Sequence, residues 1–324
     1  MSRRVGVALV ASLIVFTLLL VALALRKPAP PPTPGAPAGL GSLAVVGDRM
    51  WRWVGPAECT PATDKVPLER FSEGRWQPVN VPLVNVTSIS FANAIEGIAV
   101  GTTSNCALGV VVTRDGGKTW WLRSGSPPLL DGVLLDNTLW GVLRGTHTGQ
   151  TLVDRYIQTG TRIRPGPAID TSPCDATDGV PTQVAAYTPD FALQLCQQDV
   201  SDGRLLARTI NGGVSWDRLT DNRPMTGLDG DGTFTRLEVA GDASVWALFE
   251  GGECPEGQLR SSTNGGSTFQ RLPCPADNYP LATVFDFAFS SPTQGVLLGL
   301  DTSDQPVLLT TSDAGATWKP SISE

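Results

Sequence analysis

Histidine is almost absent from this 324-residue chain: His147, in Gly145-Thr-His-Thr-Gly149, is the only one. That excludes histidine-based zinc ligation, and any Ser-His-Asp system would have to pass through a single loop residue that reads as solvated. Tyrosine is nearly as scarce, with Tyr156, Tyr187 and Tyr279. Lysine and arginine number 24 against 31 acidic residues, a net charge of −7, so the basic footprint of a nucleic-acid binder is missing. No glycine-rich stretch leads into Lys-Ser/Thr, which excludes a phosphate-cradling loop. Asp229-Gly-Asp-Gly-Thr233 echoes a calcium loop, but its glycine stands fourth instead of sixth, so it reads as an acidic turn. No metal or cofactor is expected. No cysteine precedes Cys59, which excludes a lipid-modified cysteine after the N-terminal apolar segment.

That apolar segment runs from Val5 to Leu25, 21 residues without a charge, between Arg3-Arg4 and Arg26-Lys27. Its length is that of a membrane-spanning helix, since a bilayer core needs about 20 apolar residues. A signal peptide cleaved near Ala22-Leu-Ala24 is the competing reading, although apolar signal cores run to about 7–15 residues. The expected order is a cytoplasmic stretch at 1–4, an anchor at 5–25, a stiff proline-rich linker at 26–40 and an extracytoplasmic domain at 41–324. Cleavage would make the domain secreted. Gly6, Ala8, Ala11 and Ser12 would also permit helix packing in a larger membrane assembly.

One eight-residue motif recurs four times: Thr113-Arg-Asp115-Gly-Gly117-Lys-Thr119-Trp120, Thr209-Ile-Asn211-Gly-Gly213-Val-Ser215-Trp216, Ser262-Thr-Asn264-Gly-Gly266-Ser-Thr268-Phe269 and Thr311-Ser-Asp313-Ala-Gly315-Ala-Thr317-Trp318. The starts lie 96, 53 and 49 residues apart, so the long first interval reads as two units with a copy eroded near Thr161. A period near fifty residues signals a repeat architecture. Asp or Asn before Gly favours a tight hairpin turn, its side chain can bond the turn's amides, and the closing aromatic can pack between neighbouring sheets.

Between these turns an apolar strand, a polar turn and a second strand recur: Leu43–Gly55, Ile89–Gly101, Leu129–Gly145, Val184–Gln197, Leu237–Gly251 and Phe285–Gly299. Six copies predict an all-β propeller of six four-stranded blades, with the motif joining the third and fourth strands of a blade. Seven blades stay open, because 155–182 lacks the motif. The four motifs resemble those of the Asp-box, or bacterial neuraminidase repeat, propellers, a family that includes sialidases, sortilin-type receptors and photosystem II assembly and stability factors. The resemblance covers most of 41–324 and implies the fold, with the motifs on the blade periphery.

In such a blade the loops between second and third strands share a face with the connectors between blades. All six cysteines map there: Cys59, Cys106, Cys196 and Cys254 near those loops, Cys174 and Cys274 in connectors. Export makes disulfides the default. Cys254 and Cys274 flank the Asn264-Gly265 hairpin almost symmetrically, which makes them the first expected pair; Cys174 with Cys196 and Cys59 with Cys106 follow. The same loops of blades two to six collect Asp170, Asp175, Asp178, Asp199, Asp202, Asp221, Asp229, Asp231, Glu250, Glu253, Glu256, Asp277, Asp301 and Asp304 against Arg123, Arg164 and Arg223. An acidic docking face is the functional reading, with Glu250, Glu253, Glu256, Asp301 and Asp304 as the candidate partner contacts. The bland reading is that solvated turns favour Asp.

The sialidase resemblance would require an arginine triad, a tyrosine nucleophile with a glutamate, and a Phe/Tyr-Arg-Ile-Pro signature before the first motif. Nothing before Thr113 matches that signature, and Arg162-Ile-Arg-Pro165 comes too late. Tyr279 could approach Glu256 or Asp277, but acidic loops make such pairs commonplace. Asn85-Val-Thr87 matches a glycan acceptor, meaningful only in a eukaryotic secretory pathway. The sequence therefore leads to a non-enzymatic, membrane-anchored, extracytoplasmic propeller that binds a protein partner and helps assemble an envelope complex. A sialidase-like hydrolase or glycan-binding module, and a purely structural accessory subunit, are the alternatives.

Overall fold

The computed structural model describes residues 40–321, apart from 57–58, 60–64, 124–125, 127, 137, 145–150, 160–161, 166–173, 175–178, 199–203, 220–231, 242 and 252. The expected anchor and the linker up to residue 39, His147, and the acidic turn at Asp229 and Asp231 lie outside the described residues, as do Asp170, Asp175, Asp178, Asp199, Asp202 and Asp221. No helix among the described residues is long and apolar enough to cross a membrane.

Gly39–Glu324 form one compact unit. Its described strands make six four-stranded antiparallel meanders. Blade 1 holds β1 (Leu40–Val46), β2 (Arg49–Gly55), β3 (Leu68–Ser72) and β4 (Arg75–Val79); blade 2 holds β5 (Asn85–Phe91), β6 (Gly97–Thr102), β7 (Leu108–Thr113) and β8 (Trp121–Leu122). Blade 3 holds β9 (Leu129–Leu135), β10 (Thr138–Arg144), β11 (Thr151–Thr159) and β12 (Arg162–Pro165); blade 4 holds β13 (Gly179–Ala186), β14 (Ala192–Gln198), β15 (Arg204–Thr209) and β16 (Asp217–Arg218). Blade 5 holds β17 (Gly232–Val239), β18 (Val245–Gly251), β19 (Gln258–Ser262) and β20 (Gln270–Arg271); blade 6 holds β21 (Leu281–Phe289), β22 (Gly295–Asp301), β23 (Pro306–Thr311) and β24 (Lys319–Pro320).

The first strands of successive blades lie side by side, and β21 returns to β1, which closes the ring. Within 155–182, which left a seventh blade open, the described residues belong to the last strands of blade 3 and the first strand of blade 4, with Cys174 between them. Among the described residues no strand is exchanged across the closure: blade 1 is β1 to β4 and blade 6 is β21 to β24.

The motif sits between the third and fourth strands of blades 2, 4, 5 and 6 and folds the same way each time. Its first hydroxyl donates to the Asp or Asn oxygen two residues on, at 2.7–3.0 Å, and accepts the amide of the second glycine position at 2.9–3.0 Å. The same Asp or Asn oxygen accepts the amide of the seventh residue at 2.9–3.0 Å. Backbone φ is positive at both central positions, and blade 6 places Ala314 there at 63°. An amide of each turn also donates to the turn between the first two strands of its own blade, as Gly116 to Ile95, Gly212 to Asp190, Gly265 to Ala243 and Ala314 to Thr293, at 2.9–3.0 Å. These two sets of turns therefore share one face. Blade 1 uses the two-residue turn Glu73-Gly74, with φ of 57° and 74°.

The core lies between blades. Trp51 of blade 1 stacks on Phe91 of blade 2 with centroids 3.6 Å apart, and Phe91 meets Trp120 edge-on. Blades 5 and 6 repeat this with Trp246, Phe289 and Trp318, the first pair at 3.8 Å. Both leading indoles also donate across the seam, Trp51 to Gly116 O at 3.2 Å and Trp246 to Ala314 O at 3.0 Å. Burying each such ring contributes about 1.5–3 kcal/mol, so the motif's closing aromatic helps fix neighbouring blades to each other.

Candidate functional site

Every first strand has one edge paired to the second strand and one edge facing the centre, where backbone groups need partners. Five of the six first strands meet this with a β-bulge at the same place: Thr87, Leu130, Thr182, Thr235 and Phe285 are the extra residues. The bulge threonines turn their hydroxyls to a carbonyl of the second strand, Thr87 to Val100, Thr182 to Leu195 and Thr235 to Leu248, at 3.3–3.4 Å. The residue after each bulge is polar: Ser88, Asp131, Gln183, Arg236 and Asp286, with Ser42 at the corresponding place in blade 1.

These six side chains connect each blade to the next. Ser42 Oγ donates to Val86 O, Ser88 Oγ to Gly132 O, and Gln183 Nε2 to Leu237 O, at 3.0–3.4 Å. Asp131 Oδ2 accepts the Val184 amide at 3.1 Å, and Asp286 Oδ2 accepts the Leu43 amide at 2.8 Å. Arg236 lies 3.6 Å from Asp286 and reaches across the centre to Gly41 O and Thr87 O, both at 3.3 Å. The ring of polar residues thus supplies the partners that a paired strand would otherwise provide.

A cavity of about 550 Å³ begins at this ring and extends along all six first strands to Gly47, Ala92, Leu135, Tyr187, Gly241 and Pro292, on the face of the motif turns. Asp131, Arg236 and Asp286 form its floor, and Glu238, one layer higher, lines its wall. Burial pushes Glu238 up to about 8, reinforced by the negative charges of Asp286 and Asp131 and opposed by the Phe289 amide and Arg236. Burial also raises Asp131 and Asp286, although Arg236 and main-chain amides pull both the other way. Sequence reasoning missed this group. Its one visible signal is a charged or polar residue inside an otherwise apolar first strand.

The opposite face carries three disulfides. Cys59–Cys106 joins the loops of blades 1 and 2, Cys174–Cys196 ties the connector after blade 3 to β14, and Cys254–Cys274 ties the β18–β19 loop to the connector leading to blade 6. Of the candidate partner contacts, Glu250 is exposed at the end of β18 of blade 5, and Glu253 and Asp304 are exposed on loops of the adjoining blades 5 and 6. Glu253 pairs with Arg271 at 2.6 Å, and Asp301 is half-buried, accepting the Ser303 and Gln305 amides that shape its loop. Glu256 does not fit the expectation of an exposed contact: it is 3% exposed and its carboxylate accepts the Ala276 amide at 2.9 Å, beside the Cys254–Cys274 bridge. Burial under the connector withdraws it from the face.

The remaining candidates are dispersed. Tyr187 stands exposed at the cavity mouth, and Tyr279 packs against the blade 5 and 6 core. Asn85, of the glycan-acceptor triplet, is buried and donates to Pro56 O at 2.8 Å, so the folded chain does not present it for modification.

No family model matches the chain, and no curated protein matches it. Similar solved structures include the six-bladed fucose-recognising lectin of Aleuria aurantia, at 10% identity over 90% of this chain and 96% of that one, with a TM-score of 0.55. The GH74 enzyme of Niastella koreensis is similar at 11% identity over 87% of this chain and 45% of its own length, with a TM-score of 0.54. YCF48 bound to a D1 peptide is 18% identical over 73% of this chain and 81% of that one, with a TM-score of 0.43. At these identities the likeness shows the β-propeller fold alone.

Proposed function

We propose that the chain is a member of the Asp-box propellers that works by binding a protein, as an assembly factor or scaffold for an envelope complex, and not by catalysis. The observation that carries this reading is that Glu250, at the end of β18, Glu253, beside Cys254 of the Cys254–Cys274 bridge, and Asp304, on the β22–β23 loop, are all exposed on the disulfide face of the adjoining blades 5 and 6. Loops fixed at their bases by disulfides pre-organise a surface, and a carboxylate patch steers a basic partner toward it. Anchorage through residues 5–25, with the propeller outside the cytoplasm, is supported by that segment's 21 uncharged residues and by the disulfides.

A non-catalytic role is supported by what the central carboxylates do: Asp131 and Asp286 hold main-chain amides of neighbouring blades. A grip on an anionic sugar needs arginines turned to the ligand, whereas Arg236 is engaged with Asp286, Gly41 and Thr87.

The test is affinity capture of the full chain from cross-linked native membranes, against a variant carrying Glu250→Gln, Glu253→Gln and Asp304→Asn. A partner set captured by the parent and lost with the variant is the expected result. Equal capture by both contradicts the reading.

A further inference from the structure

The polar contacts across the seam between blades 6 and 1 converge on the charged floor of the cavity. Asp286 of blade 6 holds the Leu43 amide of blade 1 at 2.8 Å, and Arg236 of blade 5 pairs with Asp286 while donating to Gly41 O of blade 1. Behind them the backbones are so close that a Cβ on Gly41 would lie 2.6 Å from the Phe285 Cβ. Among the described lining residues, the titratable and charged groups are Asp131 from β9, Arg236 and Glu238 from β17, Asp286 from β21, and Tyr187 at the mouth; β1 and β5 contribute none. Three carboxylates therefore face one guanidinium.

We propose that this group is a proton-dependent clasp: one proton retained among Asp131, Glu238 and Asp286 keeps the seam between blades 6 and 1 shut, and loss of that proton loosens it. With a proton on Glu238, two carboxylates share Arg236 and both can stay turned to their amides. Once the O–H bond breaks and the proton leaves through the cavity mouth, the third negative charge competes for the same guanidinium. The relief open to the molecule is to admit water, and the seam it reaches is the one that Asp286 and Arg236 themselves bridge to blade 1. The acidity of Glu238, raised to about 8 in the closed ring, fits a proton held there at neutral pH.

Opening exposes Glu238 to water and lowers its pKa toward 4.5, its ordinary value. The opening equilibrium therefore rises with pH between those limits, by up to about tenfold per unit, and levels off above about 8. Hydrogen exchange of the full chain, corrected for the intrinsic pH dependence, tests this at single amides. Protection of Leu43, whose amide bonds Asp286 across the seam, is expected to fall between pH 5.5 and 8, while that of Leu134, held by the neutral Ser90 hydroxyl at 2.9 Å, stays level. Glu238→Gln is expected to flatten the Leu43 response. A Leu43 response that persists in Glu238→Gln, or a parent in which both amides respond alike, overturns the proposal. The parent's contrast between the two amides decides the matter even if the variant does not fold.

Discussion

Asp313 and Asp286 stand in one blade and both accept main-chain hydrogen bonds, yet their surroundings move their acidities in opposite directions. Asp313 sits on the motif turn, where the Thr317 hydroxyl, then the Thr317 amide and the Thr311 hydroxyl, together outweigh the opposing effect of burial and favour its charged form. Asp115 repeats this in blade 2: burial raises it, but the hydrogen bonds from Thr119, Thr113 and Lys118 prevail and its acidity ends stronger than usual. Asp286 has a guanidinium and two amides, and burial still raises it. A carboxylate at the rim of the propeller is thus solvated by its own turn. A carboxylate at the centre must share one cation with two others. The rim uses charge to fold a local segment, and the centre uses it to join segments distant in sequence.

The comparison is broken most severely at Arg236. Arg236→Met is expected to cost about 3 kcal/mol, because it leaves buried carboxylates without their cation; urea unfolding of the full chain measures it. Adding Asp286→Asn to that variant is expected to restore part of the loss, since removing both partners is less harmful than removing one.

At the rim the effect is smaller. Asp313→Ala removes the acceptor for Thr317 and Thr311 and is expected to cost about 1–2 kcal/mol in the same assay. Ala314→Gly relieves an alanine held at φ 63° and is expected to gain about 0.5–1 kcal/mol, raising the unfolding midpoint slightly.

Much of the fold was legible because its signals are local or periodic. The recurring Asp or Asn turn motif marks the outer hairpins of blades 2, 4, 5 and 6, and recurring apolar strand pairs mark the inner ones. The first cysteine pair, Cys254 with Cys274, was legible from the near symmetry of its members about Asn264-Gly265, whereas placing the loops on one face left the pairing of the other four open. The ring of Ser42, Ser88, Asp131, Gln183, Arg236 and Asp286 was not legible, because its members share a place and not a chemistry. Each is matched to whichever backbone donor or acceptor the next blade presents, some 44 to 53 residues onward for the links from Ser88 and Asp131. Glu256 was misread for the converse reason: a glutamate in a loop looks solvated until the connector carrying Cys274 folds over it. The exposure of Glu250, Glu253 and Asp304 was legible as composition, and their value as a docking surface rests on the capture experiment.

The measurement that bears most directly on the contrast between rim and centre is the unfolding free energy of the full chain as a function of pH. Asp115 and Asp313 are more acidic than usual, so their contribution is complete above their ordinary value of 3.8 and is lost as pH falls through their lowered values. Glu238 is less acidic than usual, so the unfolded chain releases its proton near 4.5 while the folded chain keeps it to about 8, and stability declines across that interval. Asp131 and Asp286 add in the same direction. The account predicts greatest stability in mildly acidic solution, a decline toward pH 8 that is largely removed by Glu238→Gln, and a separate loss in strong acid that Asp313→Ala reduces. Stability that stays constant or rises from pH 5 to 8 would contradict it.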